Sequence, residues 1–430
     1  MAATEEPGAH GHGHRAEERA RKESEEDGVH LIPLCSGGIG HHWAHHRRNG
    51  PRVIARAVVG ASAVGFAAGW NIADTGAVAD GLAGSYGVGL ATVGLFTTVL
   101  FVAHMLMQLP SGRLSDRFGP LRVCVAGLAV MAVCNALALA APEPWLLFLA
   151  RTLVGVGTAL CFIGGSDFVR ASGGTPFAQG LYGGLATAGG GVALAVVPAL
   201  AGGLGWRAPF VSAIAVAGVA GGLLAFAPHP ARPGARVGSA VPLTVLVGDR
   251  RLLRLAVVFG GSFGLSVVIA NWVVTLLEGD AGLRPETAGA IGALTLVLGV
   301  ISRPLGGWLL YRGPDRVGAW IVVAATVGAI GTLALTSGSV AVALVGAMFV
   351  GLAAGIPFAM CFTGATRLHP EAPATAVGLV NGTGALAILV GVPLVGVAFA
   401  HDLGTWAFAA MAALWVASTL VLPRQSDSGA

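Results

Sequence analysis

From Val53 onward, apolar stretches of membrane length recur along the chain, separated by short polar interruptions. A spanning helix needs roughly 20 mostly apolar residues to cross the hydrocarbon core. The pattern predicts about twelve such spans, at 54–74, 87–110, 121–141, 144–165, 178–202, 208–227, 253–276, 287–311, 317–337, 339–362, 375–399 and 403–422. The longest interruption, residues 228–252, contains Pro230, Pro233 and Gly234, which disfavour a continuing helix. Six spans precede it and six follow. The expected organisation is an all-α membrane protein: a tail at 1–52, a six-helix bundle at 53–227, a cytoplasmic linker at 228–252, a second bundle at 253–422 and a cytoplasmic tail at 423–430.

Arginines alternate with the spans. Arg47, Arg48 and Arg52 precede span 1, Arg113, Arg117 and Arg122 lie between spans 2 and 3, and Arg170 lies between spans 4 and 5. Arg232, Arg236, Arg250, Arg251 and Arg254 follow span 6, Arg312 and Arg316 follow span 8, and Arg367 and Arg424 follow spans 10 and 12. The intervening loops hold little more than Arg207 and Arg284. The positive-inside rule then puts both termini in the cytoplasm. No cleavable leader is apparent, because the first fifty residues are polar. The expectation is a multi-pass protein of the plasma (inner) membrane.

Composition agrees with the pattern and removes other classes. Of 430 residues 55% are hydrophobic and 11% charged, with a mean hydropathy of +0.77. A soluble chain carries roughly 25% charge. A net charge of +4, spread over loops, argues against nucleic-acid binding. Cys35, Cys124, Cys134, Cys161 and Cys361 show no zinc or disulfide spacing. No phosphate-binding G-x-x-x-x-G-K-[ST], nucleophile elbow or H-E-x-x-H occurs, so no cofactor, metal or enzymatic activity is expected. Energy for any transport should come from ion or solute gradients. Residues 1–52 differ from the rest, with His10, His12, His14, His41, His42, His45 and His46 among Glu, Arg and Gly. Such a segment buries too little apolar area to order itself and reads as a disordered tail. Metal binding by its histidines is the alternative.

One charged knot stands out among the apolar runs: Gly112, Leu114, Asp116, Arg117, Gly119 and Arg122. A weaker echo, Gly307-Trp308-Leu309-Leu310-Tyr311-Arg312, lies in the second half with Tyr311 where the acid would be. Gly180-Leu181-Tyr182-Gly183-Gly184 likewise resembles Gly378-Leu379-Val380-Asn381-Gly382. Repeated six-helix halves with a site between them are one known transporter architecture. The knot resembles the loop 2–3 signature of the major facilitator superfamily, G-x-L-x-D-R-x-G-x-x-R/K. Arg151, Gly155, Gly157 and Ala159 resemble that family's R-x-x-x-G-x-G-x-A in span 4. Gly205-Trp206-Arg207 with Phe210 resembles its G-W-R-x-x-F. The resemblance implies a secondary transporter working by alternating access. It makes Gly112, Asp116, Arg117, Gly119 and Arg122 part of the conformational switch and ties Arg151 to proton coupling. A fold that has lost transport and become a receptor or assembly protein is the reading from another class.

Arg303-Pro304-Leu305-Gly306-Gly307 in span 8 resembles the R-P-x-G-G of nitrate/nitrite porters and related anion carriers, where an arginine from each half clamps the anion. The position that would hold the second arginine is Gln108, and Thr187 replaces an asparagine of the porters in span 5. Arg303 therefore reads either as a single-arginine anion site or as a packing or gating residue. Export of a hydrophobic compound against protons is the competing substrate reading, although Val197-Pro198-Ala199-Leu200-Ala201-Gly202-Gly203 departs from the exporters' G-P-x-x-G-G.

Polar groups inside spans are costly and are functional by default. The candidates for substrate binding or coupling are His104, Gln108, Arg151, Thr187, Asn271, Arg303 and Asn381. His104 and Gln108 are four apart and share a helix face. His104 reads either as a titrating residue or as a neutral one bonded to a neighbouring helix. Asn271 beside Trp272 either meets substrate or only joins helices. Asn71 and Asp74 in span 1 complete the set, with Asp74 expected near the outer end and in water. The partners expected are a small solute, the bilayer and protons, around a monomer.

Overall fold

The computed structural model describes residues 50–228, 241–280 and 282–422. The expected tails, and most of the expected linker, lie outside these. Seventeen α-helices follow one another among the described residues, with no strand. The first half runs α1 (Pro51–Ala73), α2 (Ala79–Tyr86), α3 (Leu90–Leu106), α4 (Gln108–Phe118), α5 (Pro120–Ala138), α6 (Pro144–Ala171), α7 (Pro176–Leu204) and α8 (Ala208–Ala225). The second runs α9 (Leu243–Gly248), α10 (Arg250–Phe259), α11 (Leu265–Asp280), α12 (Pro285–Val297), α13 (Gly299–Arg312), α14 (Val317–Ala334), α15 (Val340–Leu368), α16 (Pro373–Ala400) and α17 (Gly404–Ala417).

Each of the twelve expected spans has a helical counterpart. Span 2 is the pair α3 and α4, bent by 47° at Met107. Span 7 is α10 and α11 joined through a π-turn, Gly260–Gly264, and span 8 is α12 and α13, divided at Leu298. The apolar stretch Pro176–Ala225 is divided at Gly205, whose φ of +56° suits a residue without a side chain. The last span, Gly404–Ala417, is shorter than the rest. Proline at the first turn starts α5, α6, α7 and α16, where its missing N–H costs nothing. The turn from α4 to α5 is made at Gly119, at φ +86°. Within the expected linker, Leu243–Gly248 forms α9, and the helix of span 7 starts at Arg250.

Large apolar side chains such as Val59, Val133, Val219, Leu386 and Leu394 are exposed, which suits a lipid surround. Each half has its own core. Val64, Met131, Val154 and Tyr182 lie in the first; Ile269, Ala347, Phe408 and Trp415 lie in the second. A third cluster crosses between them, placing Ile163 of α6 among Phe358, Phe362, Ala374, Val377 and Val380.

The halves meet at one end, the end of the α4–α5 turn, through two matching crossings. A Cβ on Gly112 of α4 would lie 2.5 Å from the Ala374 carbonyl oxygen at the start of α16, and one on Gly378 of α16 would lie 2.5 Å from the Gln108 carbonyl oxygen. In the repeat, Gly307 of α13 sits against the Pro176 carbonyl at the start of α7, and Gly180 of α7 against the Arg303 carbonyl. Small residues let backbones approach this closely in a bilayer. Away from that end the halves part. Between Pro176 and Gly190 α7 is mostly buried or half-buried; after Gly191 it is exposed on most sides.

Replacing Gly307 by valine should force α13 away from α7. Overpacking of this kind costs about 1–3 kcal/mol. Thermal unfolding of the purified variant should show the loss, whereas Gly318→Val, where a side chain meets open space, should leave the midpoint unchanged.

Candidate functional site

At the closed end, Asp116 carries the main polar contact between halves. Its Oδ1 accepts from Ala374 N at 2.9 Å, and its Oδ2 accepts from Thr375 N at 2.9 Å and from Thr375 Oγ1 at 2.6 Å. The N-terminal N–H groups of a helix have no intrahelical partner, and the helix dipole favours an anion there. Alanine 372, the N-cap of α16, has no side chain that could do this. The cap therefore comes from the other half. The repeat is asymmetric: Tyr311, at the position equivalent to Asp116, is 61% exposed. Instead α7 is capped locally, by Thr175 Oγ1 accepting from Ala178 N. Beside the knot, Ser115 donates to Asp167, which also binds Arg170. Arg117 and Arg122 point outward, and the Arg117 guanidinium stacks 5.0 Å from the ring of Phe118.

Three helix irregularities fall within spans 2, 7 and 8: the bend at Met107, the π-turn at Gly260–Gly264 and the break at Leu298. Non-helical backbone at membrane depth is tolerated where protein or a cavity surrounds it, and π-turns gather at functional sites. Arg303 lies here, 6% exposed. Its guanidinium sits 4.7 Å from the Phe358 ring and 5.1 Å from the Phe263 ring. Nη1 donates to the Gly183 carbonyl of α7, 2.6 Å away in the other half. Thr187 Oγ1 donates to the same carbonyl, so these two expected residues converge. Arg303 takes part in none of the ion pairs recorded among the described residues.

Aromatic contacts connect Arg303 to the first half. Phe358 packs on Phe362, Phe362 meets Phe162 edge to face at 6.3 Å, and Phe162 meets both Tyr182 and the His104 ring. His104 Nδ1 lies 2.9 Å from Thr158 Oγ1. Gln108, 1% exposed, has no partner for either amide atom among the described residues, and Asn381 none for Oδ1. A Cβ on Gly382 would lie 3.6 Å from the Gln108 side chain, which places Gln108 against α16. Asn271 stands apart. It is exposed and donates to Val267 of its own helix, while Trp272 donates to Val392 and stacks on Phe399.

A second polar centre lies between α1, α5 and α6, toward the open end. Arg151 is 1% exposed and Asp74 0%, and Arg151 Nη1 lies 3.0 Å from Asp74 Oδ1. Arg151 Nη2 donates to the Asn71 carbonyl, and Asn135 Nδ2 donates to Asn71 Oδ1. The expectation that Asp74 is in water is overturned. The chain does not leave the protein at the end of α1 but continues through a 3-10 turn and α2, which pack over that end. An acid at a span end beside an arginine two turns into another span was the signal that could have found this pair. The aromatic contacts gave no such signal, because phenylalanines in uniformly apolar spans show no pattern.

These features can be set beside known proteins. A profile of the Major Facilitator Superfamily matches residues 59–392. The chain belongs to that superfamily and is a secondary transporter, not an enzyme. Its fold resembles the fucose:proton symporter FucP of E. coli (TM-score 0.67, 16% identity, 86% of this chain and 98% of that one). It also resembles the human organic anion transporter MFSD10 (0.66, 16%, 87% and 100%). A third likeness is to the proton:xylose symporter XylE bound to 6-bromo-6-deoxy-D-glucose (0.68, 13%, 86% and 95%). A sequence search of curated proteins finds no match.

Asp116→Asn removes the negative charge but keeps one acceptor. Hydrogen bonds to charged groups are worth about 1.5–3 kcal/mol each. The variant should unfold at lower temperature than wild type, and spin labels across the α4–α16 seam should report a larger separated population. The Asp74–Arg151 pair should behave as a unit. Removing one partner of a buried ion pair costs about 3–5 kcal/mol, whereas an apolar replacement of both is often nearly neutral. Asp74→Leu alone should therefore lower the unfolding midpoint more than Asp74→Leu combined with Arg151→Met.

Proposed function

We propose that the chain carries a small organic anion across the plasma (inner) membrane, coupled to protons, with both termini and the closed end in the cytoplasm. Arg303 is the observation that carries the substrate reading. A buried charge normally has a partner, and this one has two phenyl faces and one backbone carbonyl. Guanidinium edges suit carboxylates and other planar oxyanions. The surrounding phenylalanines favour an anion with an apolar body over a small inorganic ion such as nitrate. The absence of an arginine at Gln108 points the same way. An anion taking the Arg303 edge would compete with the Gly183 carbonyl, so binding would loosen this contact between halves.

Arginine placement supports the orientation: the closed end carries Arg113, Arg117, Arg122, Arg170 and Arg312. Asp74 and Arg151 support proton coupling. Protonating the acid would remove the charge that holds Arg151, which makes the pair a two-state element inside the first half. The likeness to two proton symporters and an organic anion transporter agrees with this reading but concerns the fold alone. The boundaries 53–227 and 253–422 are proposed as the two moving bodies.

The aromatic floor also favours a second reading, export of a neutral hydrophobic compound. Ligands that bind the folded state raise its apparent stability. Acetate, benzoate and 2-naphthoate should raise the unfolding midpoint in that order, and Arg303→Gln should abolish the benzoate and naphthoate shifts. Benzamide should then have little effect. Equal shifts with benzamide, unchanged in Arg303→Gln, would replace the anion reading with the hydrophobic one.

A further inference from the structure

On the outside of the first half, α1 and α8 leave a cleft between them. The helices touch near the closed end, where α1 begins and α8 ends: a Cβ on Gly60 would lie 2.9 Å from Ala227 Cβ and 3.2 Å from the Leu223 carbonyl oxygen. From there toward the middle of the membrane they enclose about 400 Å³. Val59, Ala63 and Phe66 of α1 face Val219 and Leu223 of α8, and Leu185 of α7 completes the lining. Val59 is 56% exposed and Val219 64%, so the cleft opens outward, toward lipid.

The mouth of the cleft is basic. Arg52, Arg56, Val59, Ala63 and Phe66 follow one another at spacings of four, three, four and three, which puts them on one stripe of α1. That helix is uninterrupted from Pro51 to Ala73. Both arginines are exposed, and neither takes part in the ion pairs recorded among the described residues. Gly60 is level with the last residues of α8, so Arg56 stands about one turn beyond them and Arg52 about two, at about 5.4 Å per turn. Arginines at the end of a span reach to the headgroup layer. Val59 to Phe66 is about 10 Å of helix, most of the roughly 15 Å that one leaflet contributes to the hydrocarbon core.

We infer that this cleft binds an anionic phospholipid, with one acyl chain between α1 and α8 and the phosphate on Arg52 and Arg56. Guanidinium groups match phosphate oxygens in paired hydrogen bonds, and basic side chains beside a span attract anionic lipid. A second copy of the chain suits the face poorly. Packed about an axis along the membrane normal, two copies would set four arginines against one another. The cleft lies wholly in the first half, so its lipid travels with that half. The inference depends on neither the anion reading nor the proton reading.

The full chain purified in a neutral detergent tests it, through the unfolding midpoint with added lipid, since a ligand of the folded state raises its apparent stability. Phosphatidylglycerol should raise the midpoint by several degrees more than phosphatidylcholine of the same chain length. Arg52→Gln combined with Arg56→Gln should remove that difference. Arg312→Gln combined with Arg316→Gln, an equal loss of charge at the same end, should keep it. Ala63→Phe and Val219→Trp, which fill the cleft and leave the arginines in place, should each remove most of it. Glycerol 3-phosphate, a headgroup without chains, should give no shift. The midpoint of each variant without lipid reports whether it has folded, and two filling variants guard against one failing to do so. Equal shifts with the two lipids in wild type, a difference that survives loss of Arg52 and Arg56, or one that survives in both filling variants overturns the inference.

Discussion

The carboxylate of Asp116 on the N-terminus of α16 is the contact on which the closed shape depends. Two N–H groups and a hydroxyl converge on it from the other half of the molecule. In water those N–H groups would be hydrated at little cost. At a packed seam they must be satisfied by protein. The start of α16 lacks a capping side chain, so the first half completes the secondary structure of the second. Glycines at 112 and 378 make this possible by bringing the backbones close enough for a short side chain to reach.

Around that seam the polar groups divide into layers. The acids and arginines of the closed end form one. Arg303, Thr187 and the Gly183 carbonyl, walled by phenylalanines, form the central one. Asp74, Arg151, Asn71 and Asn135 form a third inside the first half. The first two span both halves; the third does not. Conformational change at the seam therefore reorganises the central layer directly, and reaches the third only through the packing of α1 and α6.

Much of the fold was legible in the sequence because the bilayer imposes a length rule on apolar runs. The knot at 112–122 and the repeat of its glycines located the seam, since charge and glycine are conspicuous in apolar surroundings. Arg151 and Arg303 were legible for the same reason, and the structure places both deep inside. The partner of Arg151 was not. Asp74 sits at the end of a span, where sequence position suggests water, and only the fold of α2 over that end reverses this. The central phenylalanines were hidden because they look like any lipid-facing residue. Trp272 shows the converse: it is conspicuous in the sequence, yet its indole N–H is already bonded to α16.

The difference between Thr175 and Asp116 bears on how the molecule moves. The start of α7 carries its own cap, so α13 can slide against it without stranding a backbone N–H. The start of α16 keeps its cap only while α4 stays in place. Parting the α4–α16 seam therefore leaves backbone N–H groups uncapped and parting the α7–α13 seam does not, although the two halves are built alike. A transporter assembled from a repeat has in this way acquired two unequal seams through the placement of a single carboxylate.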